Sequence, residues 1–355
     1  MDIGIEGGYL EDGKSLNNWD VFCHSKGCGD NGENGDIADD HYHHFLEDIE
    51  LLHSLGLKAY RFSISWARIL PKGRLVKLIL LAFLFYNKLI DKLILKGIEP
   101  FVTLFHGDFP QELEERYGSW LNPEIREDFV HMAEVCFRSF GDRVKHWITI
   151  NEPNLVTEYA YETGIFPPAR CSEPFGRCLA GNSDVEPLIV MHNMILAHAM
   201  AAKLYHEKVN NGGSIGITLH CFAFEPLTDS DTRSLNFGHY PKEMHKYLGS
   251  ALPSFSLDEK NLLKNSIDFI GINHYTTAYV KDCTNSSCSP TGARAIQGLP
   301  DLVGERDGVA DRVFFTRLPE KRINALVNDV KRVEFHTEIP CLFSQINQVR
   351  STIFR

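Results

Sequence analysis

Short apolar segments alternate with longer amphipathic segments along the chain, and this alternation is the strongest constraint on its fold. The short segments have the length of β-strands, and the longer ones carry apolar residues at helical spacing. Strands are predicted at 57–66, 98–105, 144–151, 214–220 and 266–273. Strands separated by helices pair in parallel through right-handed crossovers, and almost wholly apolar strands are covered on both faces. The sequence therefore predicts an α/β protein.

The helices carry recognisable start and stop signals. Asp39 and Asp40 can cap a helix that places Phe45 and Ile49 on one face, and Gly56 can end it. Further helices are predicted at 80–96, 123–140 and 184–209.

The same alternation suits a doubly wound open sheet or a closed barrel. The dinucleotide-binding open sheet needs Gly-x-Gly-x-x-Gly after an early strand, and none is found there. Polar residues recur at the carboxyl ends of the predicted strands, namely Arg61, His106, Asn151, Glu152, Asn273 and Tyr275. Because the strand ends of a barrel converge on one site, this placement favours a barrel.

Composition narrows the set of partners. The net charge of −11 argues against nucleic acid and anionic membranes and suits a neutral small-molecule substrate. The longest apolar run, Leu78–Tyr86, is too short to span a bilayer. No basic segment followed by an apolar one begins the chain, so no signal peptide is predicted. The sequence does not predict an oligomeric state.

The nine cysteines indicate an oxidising compartment. Cys171 and Cys178 flank a turn-rich loop that a disulfide can close, and Cys283 and Cys288 flank a glycosylation sequon at Asn285. The alternative is that these are free thiols in loops and that the sequon is unused.

Glu152 is the residue best placed for chemistry. A carboxyl group at the mouth of a buried strand can protonate a departing glycosidic oxygen, and such chemistry needs a second carboxylate. Asn151 and His106 can bind sugar hydroxyls, and Arg61 and Tyr275 can contact the second carboxylate. Each of these residues taken alone also has a purely structural interpretation.

Three histidines near a pair of aspartates superficially suggest a metal site. His41, His43 and His44 follow Asp39 and Asp40 at the start of a helix. Residues two apart on a helix do not face each other, and no His-Glu-x-x-His is present. No metal and no cofactor are predicted.

Motifs spread over most of the chain are similar to those of one known family. They run from residue 5 to about residue 290 and include Ile-Glu-Gly-Gly-Tyr at 5–9, Asp-Asp-His-Tyr at 39–42, Tyr-Arg-Phe-Ser-Ile-Ser-Trp at 60–66, Thr-Ile-Asn-Glu-Pro-Asn at 149–154 and Asp-Phe-Ile-Gly-Ile-Asn-His-Tyr-Thr at 268–276. Together they resemble glycoside hydrolase family 1, in particular the plant β-glucosidases that act on monolignol and other phenolic glucosides.

The resemblance implies a (β/α)8 TIM barrel as a single domain over residues 1–355, divergent after about residue 290. It implies retaining, double-displacement hydrolysis of β-D-glucosides, and secretion to the apoplast or vacuole as for other family members. The carried-over roles are Glu152 as acid/base, Asn151 and His106 as glucose contacts, Arg61 and Tyr275 as groups that orient the nucleophile, and Asn273 as their neighbour. Trp120, Asn154 and residues 160–178 are predicted to line the aglycone side.

The chain departs from the family at its two ends, so the predicted barrel is incomplete. The first strand is partial, with Gly4 where the family has a sugar-binding Gln. The seventh strand is degenerate: Gln345 aligns with the nucleophile, Glu338 is a less well placed substitute, and the eighth strand is missing. Two functions stay open, a β-glucosidase and a catalytically inactive glucoside-binding or structural remnant.

Overall fold

The computed structural model describes residues 6–26, 34–74, 79–209, 212–226, 248–264, 266–281, 301–303, 305–306 and 309–310. The chain divides into two compact units. The first comprises Met1–His220 and Pro253–Asn273, and the second comprises Cys221–Leu252 and His274–Arg355. The single domain over residues 1–355 stays a prediction.

The first unit is built on a parallel sheet. The described strands that begin in this unit are β1 (Ala59–Ser63), β2 (Pro71–Arg74), β3 (Glu99–Phe105), β4 (His146–Asn151), β5 (Ser214–Pro226) and β6 (Phe269–Lys281). In the sheet, β1, β3, β4 and β5 pair in parallel in that order, and β6 is the next neighbour of β5. The predicted α/β arrangement is confirmed. β5 and β6 run beyond their predicted ends because residues that favour strands continue there, with two phenylalanines after His220 and tyrosine, threonine and valine residues after Asn273.

Helices cover this sheet. They are α1 (Asn18–Lys26), α2 (His41–Ser54), α3 (Trp66–Ile69), α4 (Leu80–Leu95), α5 (Gln111–Tyr117), α6 (Glu124–Phe140), α7 (Pro153–Thr157), α8 (Glu186–Lys208) and α9 (Leu257–Leu263). The predicted helices at 80–96, 123–140 and 184–209 are α4, α6 and α8, with ends that differ by one or two residues. Asp40 precedes α2, but its carboxylate accepts from the His43 ring and makes no capping bond to the backbone.

Aromatic side chains join helices to strands in the core. Phe137 of α6 packs edge-on against Trp147 of β4 at a ring separation of 5.0 Å and against Tyr205 of α8 at 5.2 Å. All three are almost fully buried. β5 and β6 approach closely because Gly216 has no side chain: a Cβ atom there would overlap the carbonyl group of Phe269.

α8 is the one described helix that is long and apolar enough to cross a membrane. More than half of its most apolar window, 56%, is buried inside the fold. Its buried residues include Val190, Met194, Ala197 and Ala201, which is the pattern of a core helix.

A disulfide closes the loop between α7 and α8. The Cys171 and Cys178 sulfur atoms are bonded, as the sequence predicted. Arg170, next to Cys171, donates to both carboxylate oxygens of Glu186 at 2.8 and 2.6 Å. The loop is therefore tied to the first turn of α8.

The second unit contains the far ends of β5 and β6. Within it, His274 donates from Nδ1 to the carbonyl oxygen of Cys221 at 3.0 Å. β6 pairs antiparallel with β7 (Asp301–Val303), and β8 (Glu305–Arg306) pairs antiparallel with β9 (Val309–Ala310). The predictions for Gly4, Asn285, Glu338, Gln345 and the seventh and eighth strands lie outside the described residues.

Candidate functional site

Glu152 follows β4 directly and has an unusual backbone conformation. Its φ of 48° and ψ of 54° are left-handed, which non-glycine residues rarely adopt. Its N–H donates to the Thr218 carbonyl at 2.7 Å, and its own carbonyl accepts from the Val156 N–H at 3.0 Å. The pairing of β4 with β5 shifts register between Ile148 and Asn151 just before it. The turn places the side chain inside the fold, where Glu152 is only 5% exposed.

Arg61, in the middle of β1, contacts the end of β4 and the first half of β6. Its Nη2 donates to Asn151 Oδ1 at 2.5 Å, and its Nη1 donates to Asn273 Oδ1 at 3.3 Å. Its Nε donates to the buried hydroxyl of Thr103 on β3 at 3.1 Å. One guanidinium group thus binds side chains from three strands of the sheet.

Asn273 connects this network to Glu152. Its Nδ2 donates to Glu152 Oε1 at 2.7 Å and to Asn151 Oδ1 at 3.1 Å. The carboxyl group predicted to act as acid/base is therefore joined to the arginine through one intervening amide.

His106, at the end of β3, joins the network through Asn151. Asn151 Oδ1 faces Arg61, so its Nδ2 is the atom that lies 3.0 Å from His106 Nε2. Because an amide nitrogen only donates, His106 Nε2 accepts, and the neutral ring carries its proton on Nδ1. One connected cluster is formed by His106, Asn151, Glu152, Arg61 and Asn273. The first three lie at the carboxyl ends of β3 and β4, whereas Arg61 and Asn273 lie within β1 and β6.

Tyr275 belongs to the second unit and is 55% exposed. Its predicted role toward the nucleophile stays a prediction, as do the roles assigned to Glu338 and Gln345. The histidines near the start of α2 do not converge: His41 pairs with Asp48, His43 with Asp40 and Glu11, and His44 with Glu47. Across the described ranges, no group of three His, Cys, Asp or Glu side chains can hold a metal ion.

A buried histidine lies behind β4. His198 of α8 donates from Nδ1 to the Thr149 hydroxyl at 2.7 Å, because that hydroxyl donates onward to the Gly216 carbonyl at 3.1 Å. Burial lowers the pKa of His198 to about 4. His198 is thus neutral at physiological pH. No sequence pattern predicted this contact, since a histidine in an apolar helix is usually interpreted as part of the core.

Asp108, two residues after His106, titrates far from its usual range. Burial raises the pKa of Asp108 to about 7, and the negative charge of Glu6 adds to this effect. The neighbouring backbone is held in place, since the Gly107 carbonyl accepts from Asn18 Nδ2 at 3.1 Å and from Trp19 Nε1 at 3.0 Å.

The sequence profile described as glycosyl hydrolase family 1 matches residues 3–301. The chain belongs to this family. Its fold is of the family's (β/α)8 barrel type, which the sequence predicted in an incomplete form: a rice β-glucosidase variant in a covalent complex with glucose superposes with a TM-score of 0.81 at 38% identity, covering 93% of this chain and 74% of that one.

Two plant relatives of this family 1 chain differ in what their names say. A rice protein named "Probable inactive beta-glucosidase 14" is 51% identical over 325 residues, which cover 86% of this chain and 63% of the relative. A coniferin β-glucosidase of the pine Pinus contorta is 47% identical over 332 residues, covering 86% of this chain and 64% of the relative. The chain thus spans less than two thirds of the length of these relatives.

The geometry corrects one expectation for the aglycone side of the family 1 site. Trp120 is fully buried and packs against Phe105 at 5.1 Å, so the prediction that it lines the substrate was wrong. The side-chain amide of Asn154 is bonded on both sides to the backbone of His220, at 3.0 and 3.2 Å. The short π-helix Glu158–Glu162 that follows α7 was not predicted.

Proposed function

We propose that this chain is a β-glucosidase that cleaves the O-glycosidic bond of plant phenolic or monolignol β-D-glucosides with retention of configuration. The observation that carries this proposal is the buried carboxyl group of Glu152, whose Oε1 lies 2.7 Å from Asn273 Nδ2 at the carboxyl end of β4. A barrel enzyme keeps its proton donor in such a position. The name of the pine relative, a coniferin β-glucosidase, supports a phenolic aglycone.

In this mechanism Glu152 acts twice. It first protonates the departing glycosidic oxygen, and it then removes a proton from the water that releases the sugar. By the resemblance to the family, Asn151 and His106 bind glucose hydroxyls, and Arg61 and Tyr275 have the role of orienting the nucleophile. The covalent glucose complex of the rice structure supports a two-step course.

The nucleophile is the open part of this proposal. Its carboxylate must form an ester with the sugar, and the amide of Gln345 cannot do so. Glu338 is the alternative carboxylate in that part of the sequence. A 2-deoxy-2-fluoro aryl glucoside traps the glycosyl ester, and mass spectrometry of the peptides then identifies the residue that carries it.

Hydrolysis of a chromogenic aryl β-glucoside by the purified chain tests the activity. Glu152→Gln keeps the shape of the side chain but removes the acid, so we expect a rate loss of about 10²–10⁴-fold. Glu112→Gln on the exposed face of α5 is the matched control and should leave the rate unchanged. Equal rates for the wild type and Glu152→Gln would refute the assignment of Glu152.

A second candidate function is glucoside binding without turnover. The name of the rice relative and the amide at position 345 both favour it. In this case calorimetry detects a glucose-like inhibitor while no hydrolysis is measured, and Gln345→Glu creates activity. If the chain is a glucosidase that uses Glu338, then Glu338→Gln abolishes the rate and Gln345→Glu does not raise it.

We further propose an oxidising compartment, the apoplast or vacuole. The disulfide between Cys171 and Cys178 supports this, because such bonds are rare in the cytosol. Glycosylation at Asn285 is part of the same proposal. A fall in apparent mass after treatment with an N-glycosidase, lost in Asn285→Gln, is the expected result.

A further inference from the structure

We propose that Asn273 determines which oxygen of Glu152 carries the transferable proton, and that Arg61 holds Asn273 in the orientation that does so. This inference rests on the proposed function of Glu152 as the acid/base. It makes Asn273 and Arg61 positioning residues for the acid, in addition to their predicted place beside the nucleophile.

The orientation of the Asn273 amide follows from the chemistry of Arg61. A guanidinium group has only donors, so the Asn273 atom that lies 3.3 Å from Arg61 Nη1 must be the oxygen. The nitrogen of the same amide then lies toward Glu152 Oε1 and Asn151 Oδ1. The oxygen of Asn151 is fixed by the same argument, because it accepts from Arg61 Nη2.

This orientation leaves one position for the proton of Glu152. Asn273 Nδ2 has two hydrogens and no lone pair to offer, and its hydrogens go to Asn151 Oδ1 at 3.1 Å and Glu152 Oε1 at 2.7 Å. A proton on Oε1 would point at a donor, so Oε1 is the carbonyl oxygen of the acid. The proton is carried by Oε2, to which no described residue makes a hydrogen bond.

Proton transfer then starts from the oxygen that the protein leaves open. As the nucleophile carboxylate bonds to the sugar carbon, the bond between that carbon and the glycosidic oxygen breaks, and its electron pair stays on the oxygen, which takes the proton from Glu152 Oε2. In the second step the water oxygen bonds to the sugar carbon, the ester bond breaks with its electron pair returning to the nucleophile carboxylate, and Oε2 takes a proton from the water. Asn273 touches neither reacting oxygen and acts only through Glu152.

Infrared difference spectroscopy tests the location of the proton without any turnover. The chain is labelled with ¹³C-glutamate, and the carbonyl band of protonated Glu152 is assigned by its loss in Glu152→Gln. Asn273→Leu removes the donor to Oε1, so we expect the band to move to higher wavenumber. Asn273→Asp is the second variant, for the case that the leucine variant does not fold, because it keeps the size of the side chain and an oxygen for Arg61. Its carboxylate cannot donate to Oε1, so the band should again differ from that of the wild type.

The dependence of the rate on the leaving group provides the second readout. Phenyl β-glucoside needs an acid, whereas 2,4-dinitrophenolate departs without one. Asn273→Asp should slow hydrolysis of the phenyl substrate by about 10²-fold or more, because this reaction needs a correctly placed acid. It should slow hydrolysis of the dinitrophenyl substrate by about threefold or less. A residue that only supports the fold would slow both substrates equally.

Asn193 is the matched control. It is as buried as Asn151, its Oδ1 accepts from Arg126 at 2.9 and 2.6 Å, and its Nδ2 donates to the Trp120 carbonyl at 2.7 Å. Asn193→Leu should lower stability but leave the infrared band and the leaving-group dependence unchanged.

An unshifted band in both Asn273 variants, or equal slowing of both substrates, overturns the inference. If the wild type shows no hydrolysis, the proposed function fails, yet the infrared result still decides where the proton lies.

Discussion

Two arginines of the first unit, Arg68 and Arg61, differ in the chemistry of their hydrogen-bond partners. Arg68 in α3 is fully buried, and its Nε donates to the Glu6 carboxylate at 2.7 Å. Its other nitrogens donate to the carbonyl oxygens of Gly7, Gly8 and Glu11 at 3.1–3.4 Å. All of these partners are oxygen atoms that only accept hydrogen bonds, and Glu6 Oε1 also accepts from the Tyr86 hydroxyl at 2.9 Å. Arg68 therefore does not set the donor or acceptor role of a further group. It holds the segment at residues 6–11 in place and has a structural role.

Arg61 donates to the amide oxygens of Asn151 and Asn273. An amide accepts at its oxygen and donates from its nitrogen, so the direction of each bond is passed on to the next group. The next groups are Glu152 and His106. An arginine bound to carboxylate and carbonyl groups therefore stabilises the fold, whereas one bound to amides also sets the donor and acceptor roles of a site.

The largest expected effect separates the two arginines by stability. Arg68→Met removes the cation paired with the Glu6 carboxylate, which among the described residues keeps only the Tyr86 hydroxyl as a donor, and it removes the side-chain donor to three carbonyls, so the free energy of unfolding should fall by about 3–5 kcal/mol. Arg61→Met removes bonds to neutral groups, and we expect a smaller loss of about 1–2 kcal/mol. Urea unfolding at pH 7 measures both. The exposed Arg138→Met, a control, should change it by less than about 0.5 kcal/mol. Equal losses for the two buried variants would contradict the comparison.

His198, which contacts Thr149 behind β4, is a titrating group in the core next to the site strand. Its pKa falls from 6.5 to about 4 on folding, so the unfolded chain binds the extra proton between these values. The stabilisation is present above pH 6.5 and is lost as the pH falls toward 4. The loss from this group should be about 3 kcal/mol.

The variant His198→Asn isolates this contribution, because its amide can still donate to Thr149 but does not titrate. Unfolding by urea at a series of pH values should give a flatter profile for the variant between pH 6.5 and 4. Parallel profiles for the wild type and the variant would show that His198 does not carry the dependence.

The sequence predicted the elements and most of the cluster, but not its connections. Apolar periodicity gave the strands, and their polar ends gave Glu152, Asn151, His106, Arg61 and Asn273. The left-handed turn at Glu152 depends on a register shift against β5, which no local pattern encodes.

The contact of His198 with Thr149 joins residues 49 positions apart. Trp120 was misassigned because its neighbours in the chain suggest a loop, whereas helices pack over it. In both cases tertiary packing decides which way a side chain faces, and the sequence around the residue does not record it.

Asp108 is a second titrating group, whose pKa is raised by burial and by the negative charge of Glu6, and its effect on stability has the opposite sign. Folding raises the pKa of Asp108 from 3.8 to about 7, so the folded chain binds the extra proton. The stabilisation is complete below pH 3.8 and is lost as the pH rises through 7. Asp108→Asn removes the buried charge and should raise the free energy of unfolding above pH 7 by about 2 kcal/mol, since the side chain is partly exposed. The gain should vanish in acid, and a variant that is less stable at every pH would refute this assignment.

The smallest expected effects concern two buried threonines, one that contacts Arg61 of the site cluster and one that contacts the core behind β4. Thr149 accepts from His198 and donates to the Gly216 carbonyl, whereas Thr103 accepts from Arg61 Nε at 3.1 Å. Both side chains are fully buried, so valine replaces the hydroxyl without changing the shape. Each variant should lose about 1–2 kcal/mol of unfolding free energy.

Their effects on the site should nevertheless differ. Thr103→Val frees one edge of the guanidinium group, so Arg61 holds Asn273 less firmly and the infrared band of Glu152 should broaden or shift. Thr149→Val leaves that band unchanged, because its contacts lead to α8 and β5 and not to Arg61. If both variants shift the band equally, Arg61 is not the only route by which a buried hydroxyl affects Glu152. In that case β4 also contributes, and the contrast between Arg61 and Arg68 would not explain the site.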